Sequence, residues 1–242
     1  MATSGTTNFN LNFAEMAEEA FERAGKEMRT GYDLRTARRS LNLLTIEWAN
    51  RGINLWTVEQ GVIPLVYDQG VYDLPIDTID LLDHVVRTNP GEDNQQDISI
   101  TRISGDTWST IPNKNSRGRP LQVWIDRQSG ATYNVQPIPI PVVVHPRINV
   151  WPKPDQNDWY WFIYWRLRRI QDAGDGSNTQ DIPFRFLPAM VAGLAYYLAM
   201  KIPEAMARLG ELKLIYDEQF GLAADEDREK ADLRIVPRIA RV

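Results

Sequence analysis

"PAMVAGLAYYLAMK", residues 188–201, carries one charge, at its last position, and is apolar on nearly every side. A helix with that pattern has no solvent face, so the stretch predicts a central buried helix. Pro188 suits its first turn, where a missing N–H breaks no intrahelical bond. The neighbours that must surround it lie at both ends of the chain. Upstream, Phe13, Met16, Ala17, Ala20, Phe21 and Ala24 recur with helical spacing as one stripe. Asn12 and Glu15 ahead of it have the spacing of a capping box. In "DLRTARRSLNLLTIEWANRGINLW", residues 33–56, Leu34, Ala37, Leu41, Leu44 and Trp48 form a second seam, with Asp33 as cap and Gly52 at a left-handed terminus. Downstream, Pro203 restarts a helix over 203–230, with Met206, Leu209, Leu212 and Tyr216 at core spacing. The first two helices are too short to stand alone, so both chain ends are expected to meet in one bundle.

Between the helical ends the apolar period drops to two. Hairpins are expected at Gln60-Gly61 and Gln69-Gly70, and strands at 81–88, 97–103, 121–127, 131–137, 147–152 and 158–170, separated by Pro, Gly, Asn and Asp. In the last of these, Trp159, Trp161, Ile163, Trp165 and Leu167 alternate with Tyr160, Phe162, Tyr164, Arg166 and Arg168. The expected fold is therefore α+β, a helical bundle from the two chain ends with an inserted, mostly antiparallel β domain. Its parts are a flexible arm at 1–11, bundle segments at 12–52 and 182–230, the β domain at 53–170, and a tail at 231–242. Pro237 blocks helix in the tail, which reads as extended and made for docking.

Composition removes several function classes. The chain has 242 residues, a net charge of -5 and no cysteine, which excludes disulfides and thiolate metal sites and fits a reducing cytoplasm. No window approaches the length of an apolar membrane span, and the start lacks the pattern of a signal peptide. Net acidity argues against capture of nucleic acid by bulk charge. The two histidines, His84 and His145, stand in no ligand spacing and are expected to be structural. No nucleophile elbow, Walker loop or dinucleotide fingerprint is present. Gly174 and Gly176 in "DAGDGSNTQ" mark a turn, with a calcium loop as the alternative. No cofactor and no catalytic residue is expected. With 32 acidic residues, a carboxylate pair for glycoside hydrolysis is not singled out.

Two residue sets point outward. Arg35, Arg38 and Arg39 share a helix face away from the Leu34–Leu41–Trp48 seam, and Arg51 follows at the helix end. Arginine at each position favours bidentate pairing with carboxylates of a partner or neighbouring subunit; a solvated face with local acid pairs is the plain alternative. The tail repeats the preference with Arg234, Arg238 and Arg241 around Ile235 and Val236. The second set is aromatic. Trp108 and Trp124, with the Tyr160, Phe162 and Tyr164 face of 158–170, suggest a contact surface for another chain, although a sheet core is also a home for such residues.

"GYDLRTARRSLNLLTIEWANRGINLW", the "GVYDLP" hairpin, "GRP" ahead of a tryptophan strand, "WPKPD", and "FLPAMVAGLAYYLAMKIPE" followed by "DRE" and a basic tail occur in this order between Phe13 and Arg241. Together they resemble the head-to-tail adaptors of short-tailed bacteriophages, the tail tubular protein A-like or packaged-DNA-stabilisation proteins. "PIPIPVVVHP", residues 137–146, departs from that pattern. The resemblance implies a twelve-subunit ring in the neck of the virion, assembled in the host cytoplasm. Its partners would be the portal protein and a tail nozzle protein, and packaged double-stranded DNA would pass through without specific binding. It assigns the arginines and the tail to subunit and portal contacts, and Trp108, Trp124, Tyr160, Phe162 and Tyr164 to the nozzle. The alternatives are a virion-associated peptidoglycan hydrolase and a carbohydrate-binding module.

Overall fold

The computed structural model describes residue 5 and residues 11–29, 31–52, 55–127, 132–135, 140–143 and 145–227. The chain is α+β and forms two compact units, residues 1–55 with 171–242, and residues 56–170. The tail residues Arg234, Ile235, Val236, Arg238 and Arg241 lie outside the described residues, as does most of the arm at 1–11. In chain order the helices are α1 (Phe13–Arg23), α2 (Gly31–Asn50), α3 (Gly105–Thr110), α4 (Leu187–Ala199) and α5 (Leu209–Glu226).

The helical unit is built around α4, which packs against α1, α2 and α5. Its run from Ala189 to Ala195 is buried throughout, as a helix without a polar face must be. α1 begins at the expected capping box: the Glu15 amide donates to Asn12 Oδ1 at 2.9 Å and the Asn12 amide to Glu15 Oε2 at 2.9 Å. α2 starts at Gly31, two residues before its expected cap. Asp33 instead sits buried in the first turn, where its carboxylate accepts from Lys26 Nζ at 3.0 Å and complements the positive end of the helix. Past the far end of α2, Gly52 has φ 78°, the left-handed terminus the sequence predicts. The helix expected from Pro203 opens as a 3-10 segment, Pro203–Arg208, which leaves Met206 57% exposed and outside the core. The buried stripe of α5 runs instead through Leu212, Tyr216, Phe220 and Ala223.

The β unit has strands β1 (Val58–Pro64), β2 (Val71–Asp73), β3 (Thr78–Thr88), β4 (Gln96–Ser99), β5 (Thr101–Ile103), β6 (Gln122–Asp126), β7 (Thr132–Val135), β8 (Ile140–Val143), β9 (Arg147–Trp151) and β10 (Tyr160–Arg168). They form one sheet in the order β1-β10-β3-β4, another in the order β2-β9-β6-β5, and the hairpin β7-β8. All pairs are antiparallel except β5 with β6. Residues of both larger sheets share one core, among them Leu81, Val86, Val123, Ile148, Val150 and Phe162. The stretch 97–103, expected as one strand, divides at the buried Ile100 between the two sheets. Gln60-Gly61 is no turn, because it lies inside β1 opposite Tyr164 and Trp165. A side chain at Gly61 would meet the Tyr164 ring at 2.3 Å, so the glycine makes room for the aromatic. In the same sheet Arg166 lies between Glu59 (2.7 Å) and Asp77, and Arg168 bonds Glu59 at 2.6 Å, which ties β1 and β10 to the turn before β3.

Gly193 is where α4 is most closely approached. A Cβ there would stand 2.9 Å from both methyls of Leu44 and 2.9 Å from Tyr216 Cε2. The leucine can shift, but the Tyr216 ring is held by hydrogen bonds at its far end. Gly193→Ala is expected to lower stability by about 1 kcal/mol net, overpacking outweighing the gain in helix propensity. Gly210→Ala in α5, where nothing lies within 4 Å, is expected to raise it by about 0.5–1 kcal/mol. Urea titrations of the two variants beside the parent check both signs.

Candidate interaction faces

The buried side of α2 ends in a polar knot. Trp48 Nε1 donates to Tyr216 Oη at 2.9 Å, Tyr216 Oη donates to Glu47 Oε1 at 3.2 Å, and Tyr197 Oη donates to Glu47 Oε2 at 2.7 Å. Burial and the neighbouring carboxylate push the Tyr197 phenol up to about 12 and raise that of Tyr216 as well. Both therefore remain donors at any physiological pH. Arg51, expected at a subunit contact, closes this knot. It pairs with Glu47 and lies over the Phe220 ring, 4.4 Å from its centroid. Its charge is met within the chain, one turn along the same helix.

Arg35, Arg38 and Arg39 behave differently. All three are exposed, and among the described residues none has a carboxylate within ion-pair reach. Arg38 Nη1 donates to the Gly174 carbonyl at 3.4 Å and Arg39 Nη2 to Thr36 Oγ1 at 3.3 Å, both long contacts to neutral acceptors. With Tyr32 they line a recess of about 310 Å³. It adjoins a cleft of about 520 Å³ whose walls include Tyr32, Arg39, Leu43 and Lys201. Burial, and then the Arg39 charge, lower the pKa of Lys201, whose ammonium donates to the buried Ser40 hydroxyl at 2.7 Å. This surface has excess positive charge in a chain that is negative overall. Sequence reasoning missed its apolar members. Tyr32, Leu43 and Ile46 are 64%, 54% and 56% exposed and fall on the same outward side of α2 as Arg35 and Arg39. On α5, Leu214 (72% exposed) and Leu222 (62%) likewise face away from the core. Spacing held the signal, since both leucines fall opposite the Leu212–Tyr216 stripe.

The aromatic face of β10 requires a correction. Tyr160, Phe162 and Tyr164, expected at a surface for the nozzle, are buried at 6%, 0% and 4% exposure within the core of the β unit. Both faces of this strand are aromatic, so alternation alone did not tell inside from outside. Trp159 (44% exposed) precedes the strand, Trp161 and Trp165 are half-buried, and Ile163 on their side is buried. Trp108 and Trp124 are half-buried and meet each other, ring centroids 5.9 Å apart, where α3 lies beside β6. Trp108 also lines a recess of about 430 Å³ with Lys114, Asn115 and Lys153.

The residues considered for chemistry form no constellation. His84 stacks on Phe162 at 5.8 Å and its ring nitrogens are buried, while His145 Nδ1 lies 3.4 Å from the Leu74 carbonyl. The 171–181 segment is a set of turns closed by its own side chains: Asp172 accepts from the Gly174 amide, Asp175 from Ser177, and Asn178 from the Asp175 amide. Among the described residues no group of three or more histidine, aspartate or glutamate side chains is placed to hold a metal ion. No helix among them is long and apolar enough to cross a membrane. No family model and no curated protein matches the chain.

Burial lowers the His84 pKa from its ordinary 6.5, with Asp83 opposing and Arg102 reinforcing the shift. The unfolded chain therefore takes up a proton at this residue below about 6.5 that the folded chain refuses. Stability should fall as pH drops through 6.5 toward the lowered folded value, then fall again in the carboxylate range. There Glu59 and Asp77 lose ionisation that Arg166 favours, for Asp77 against its burial. His84→Phe should abolish the first decline and leave the second, which thermal melts between pH 8 and about pH 3 will read.

Proposed function

We propose that this chain is a structural subunit of a viral neck. In this reading it is a head-to-tail adaptor that assembles as a homo-oligomeric ring, twelve-membered in the family it resembles, between a portal and a tail nozzle. The ring helps retain packaged double-stranded DNA and gives it a passage outward, within a virion whose parts meet in the host cytoplasm. The observation that carries the reading is the outward face of α2. Arg35, Arg38 and Arg39 stand there without carboxylate partners among the described residues, on a helix whose other side is fixed in the bundle core. Guanidinium groups presented from a rigid element are suited to bidentate contact with carboxylates of a neighbouring chain. The order of sequence motifs from Phe13 to Arg241 supplies the class. Net charge of -5 supports a conduit, because a wall that attracted phosphates would retard a sliding duplex. The Trp108–Trp124 surface is left for the nozzle, and the tail with Arg234, Arg238 and Arg241 for the portal.

Heads that hold packaged DNA but lack this chain provide the test. Adding the purified protein should build a ring under the portal, visible by electron microscopy, and protect the DNA from nuclease. The Arg35→Ala/Arg38→Ala/Arg39→Ala variant should fold, by circular dichroism, yet fail to add. A parent protein that leaves the portal bare, or that degrades cell-wall material by itself, would refute the assignment.

A further inference from the structure

Two exposed helix faces in the helical unit share an unusual make-up. On α2, Arg35, Arg39 and Leu43 follow one another at every fourth position, with Ile46 beyond; on α5, Leu214, Glu218 and Leu222 do the same, with Asp217 beside them. Each row is about 12 Å long at 1.5 Å per residue. Both expose large aliphatic side chains on a helix whose opposite side is already buried, Leu43 at 54%, Ile46 at 56%, Leu214 at 72% and Leu222 at 62%. One row is flanked by arginines and the other by carboxylates. Among the described residues Arg35, Arg39, Asp217 and Glu218 have no ion-pair partner.

We infer that the α2 row of one copy docks on the α5 row of a second copy of this chain. The leucines form the apolar centre, and Arg35 and Arg39 pair with Asp217 and Glu218. Charge complementarity selects the occupant. A nucleic acid would not fit the α2 row, which is interrupted by Leu43 and Ile46, and would be repelled by α5. The chain's own basic tail, 231–242, matches the acidic α5 row but leaves the α2 row bare. A second copy covers both at once. Because the two rows are different surfaces, the contact is heterologous: each copy offers one row to the next and keeps the other open. Such contacts propagate and close into a ring when the rotation between copies allows it. The inference deepens the adaptor reading and rests on it for that closure alone.

The absence of cysteine allows a direct test on the full chain. Leu43→Cys is mixed with Leu214→Cys or Leu222→Cys, one partner carrying a size tag, and oxidised in concentrated solution and on portal-bearing heads. The expected result is a tagged–untagged disulfide in excess of what either variant forms alone, and which α5 position reacts reports the direction of the helices. Deleting 231–242 should leave the cross-link intact. Arg35→Glu/Arg39→Glu, or Asp217→Lys/Glu218→Lys, should each weaken association by about tenfold or more, and mixing the two should restore it. Cross-linking mainly between identical variants, loss of the link on tail deletion, or no link in either setting would overturn the pairing. Rings that form on portals without the cross-link would sink this pairing and leave the adaptor reading intact; cross-linked chains that never engage a portal would do the reverse.

Discussion

A hydrogen bond from the Trp48 indole to the Tyr216 phenol, 2.9 Å long, joins residues 168 positions apart, and the helical unit depends on what that contact represents. It lies where α2, α4 and α5 converge, beside the place where Gly193 lets Leu44 and Tyr216 approach the α4 backbone. A net hydrogen bond contributes only about 1 kcal/mol, so the bond does not hold the ends together by itself. The buried apolar surface of α4 does, at roughly 25 cal/mol per Å² removed from water. The polar knot adds specificity. Glu47 accepts from two tyrosines, and breaking the register by one turn would leave these part-buried groups unmatched, at about 1 kcal/mol each.

Bringing chain ends together across an intervening domain carries an entropic cost that rises slowly with loop length. The β unit lowers it through its own strand order. Its first strand, β1, and its last, β10, are direct neighbours, with Val58 opposite Leu167. The chain therefore leaves this unit beside the point where it entered. Residues just before β1 and just after β10 start close together, and the two helical segments meet over a short effective loop. Glu59, paired with both Arg166 and Arg168, reinforces that same strand pair at the end where the chain enters and leaves.

How far the sequence revealed this follows from where its information was local. The Asn12–Glu15 box, the left-handed Gly52 and the all-apolar α4 are decided within a few residues, and each was legible. The failures concern partners distant in sequence. Gly61 looks like a turn until Tyr164 is placed opposite it, and residues 97–103 contain no glycine or proline to mark a break although the chain passes between sheets at Ile100. Tyr160, Phe162 and Tyr164 read as a possible surface because the other side of β10 is also aromatic; only the second sheet decides which face is interior. For the candidate site, the arginine row was legible by type and spacing. The exposed leucines of α5 carried the same spacing signal, but an apolar side chain by its type favours the interior, so type and position pointed in opposite directions.

Arginine on α2 also bears on how a protein with net charge -5 avoids indiscriminate self-association. Exposed leucine rows alone would stick to any apolar surface, in any register. Flanking one row with guanidinium groups and the other with carboxylates makes like rows repel and unlike rows attract, so charge here acts mainly on specificity and approach. Like-row contact between two copies would place Arg35 and Arg39 against the same residues of the partner, an arrangement that favours separation. The solvent-exposed ion pairs are individually worth about 1 kcal/mol or less. A contact built that way is weak between two copies and gains strength only when several close on one another, each closure raising the effective concentration for the next.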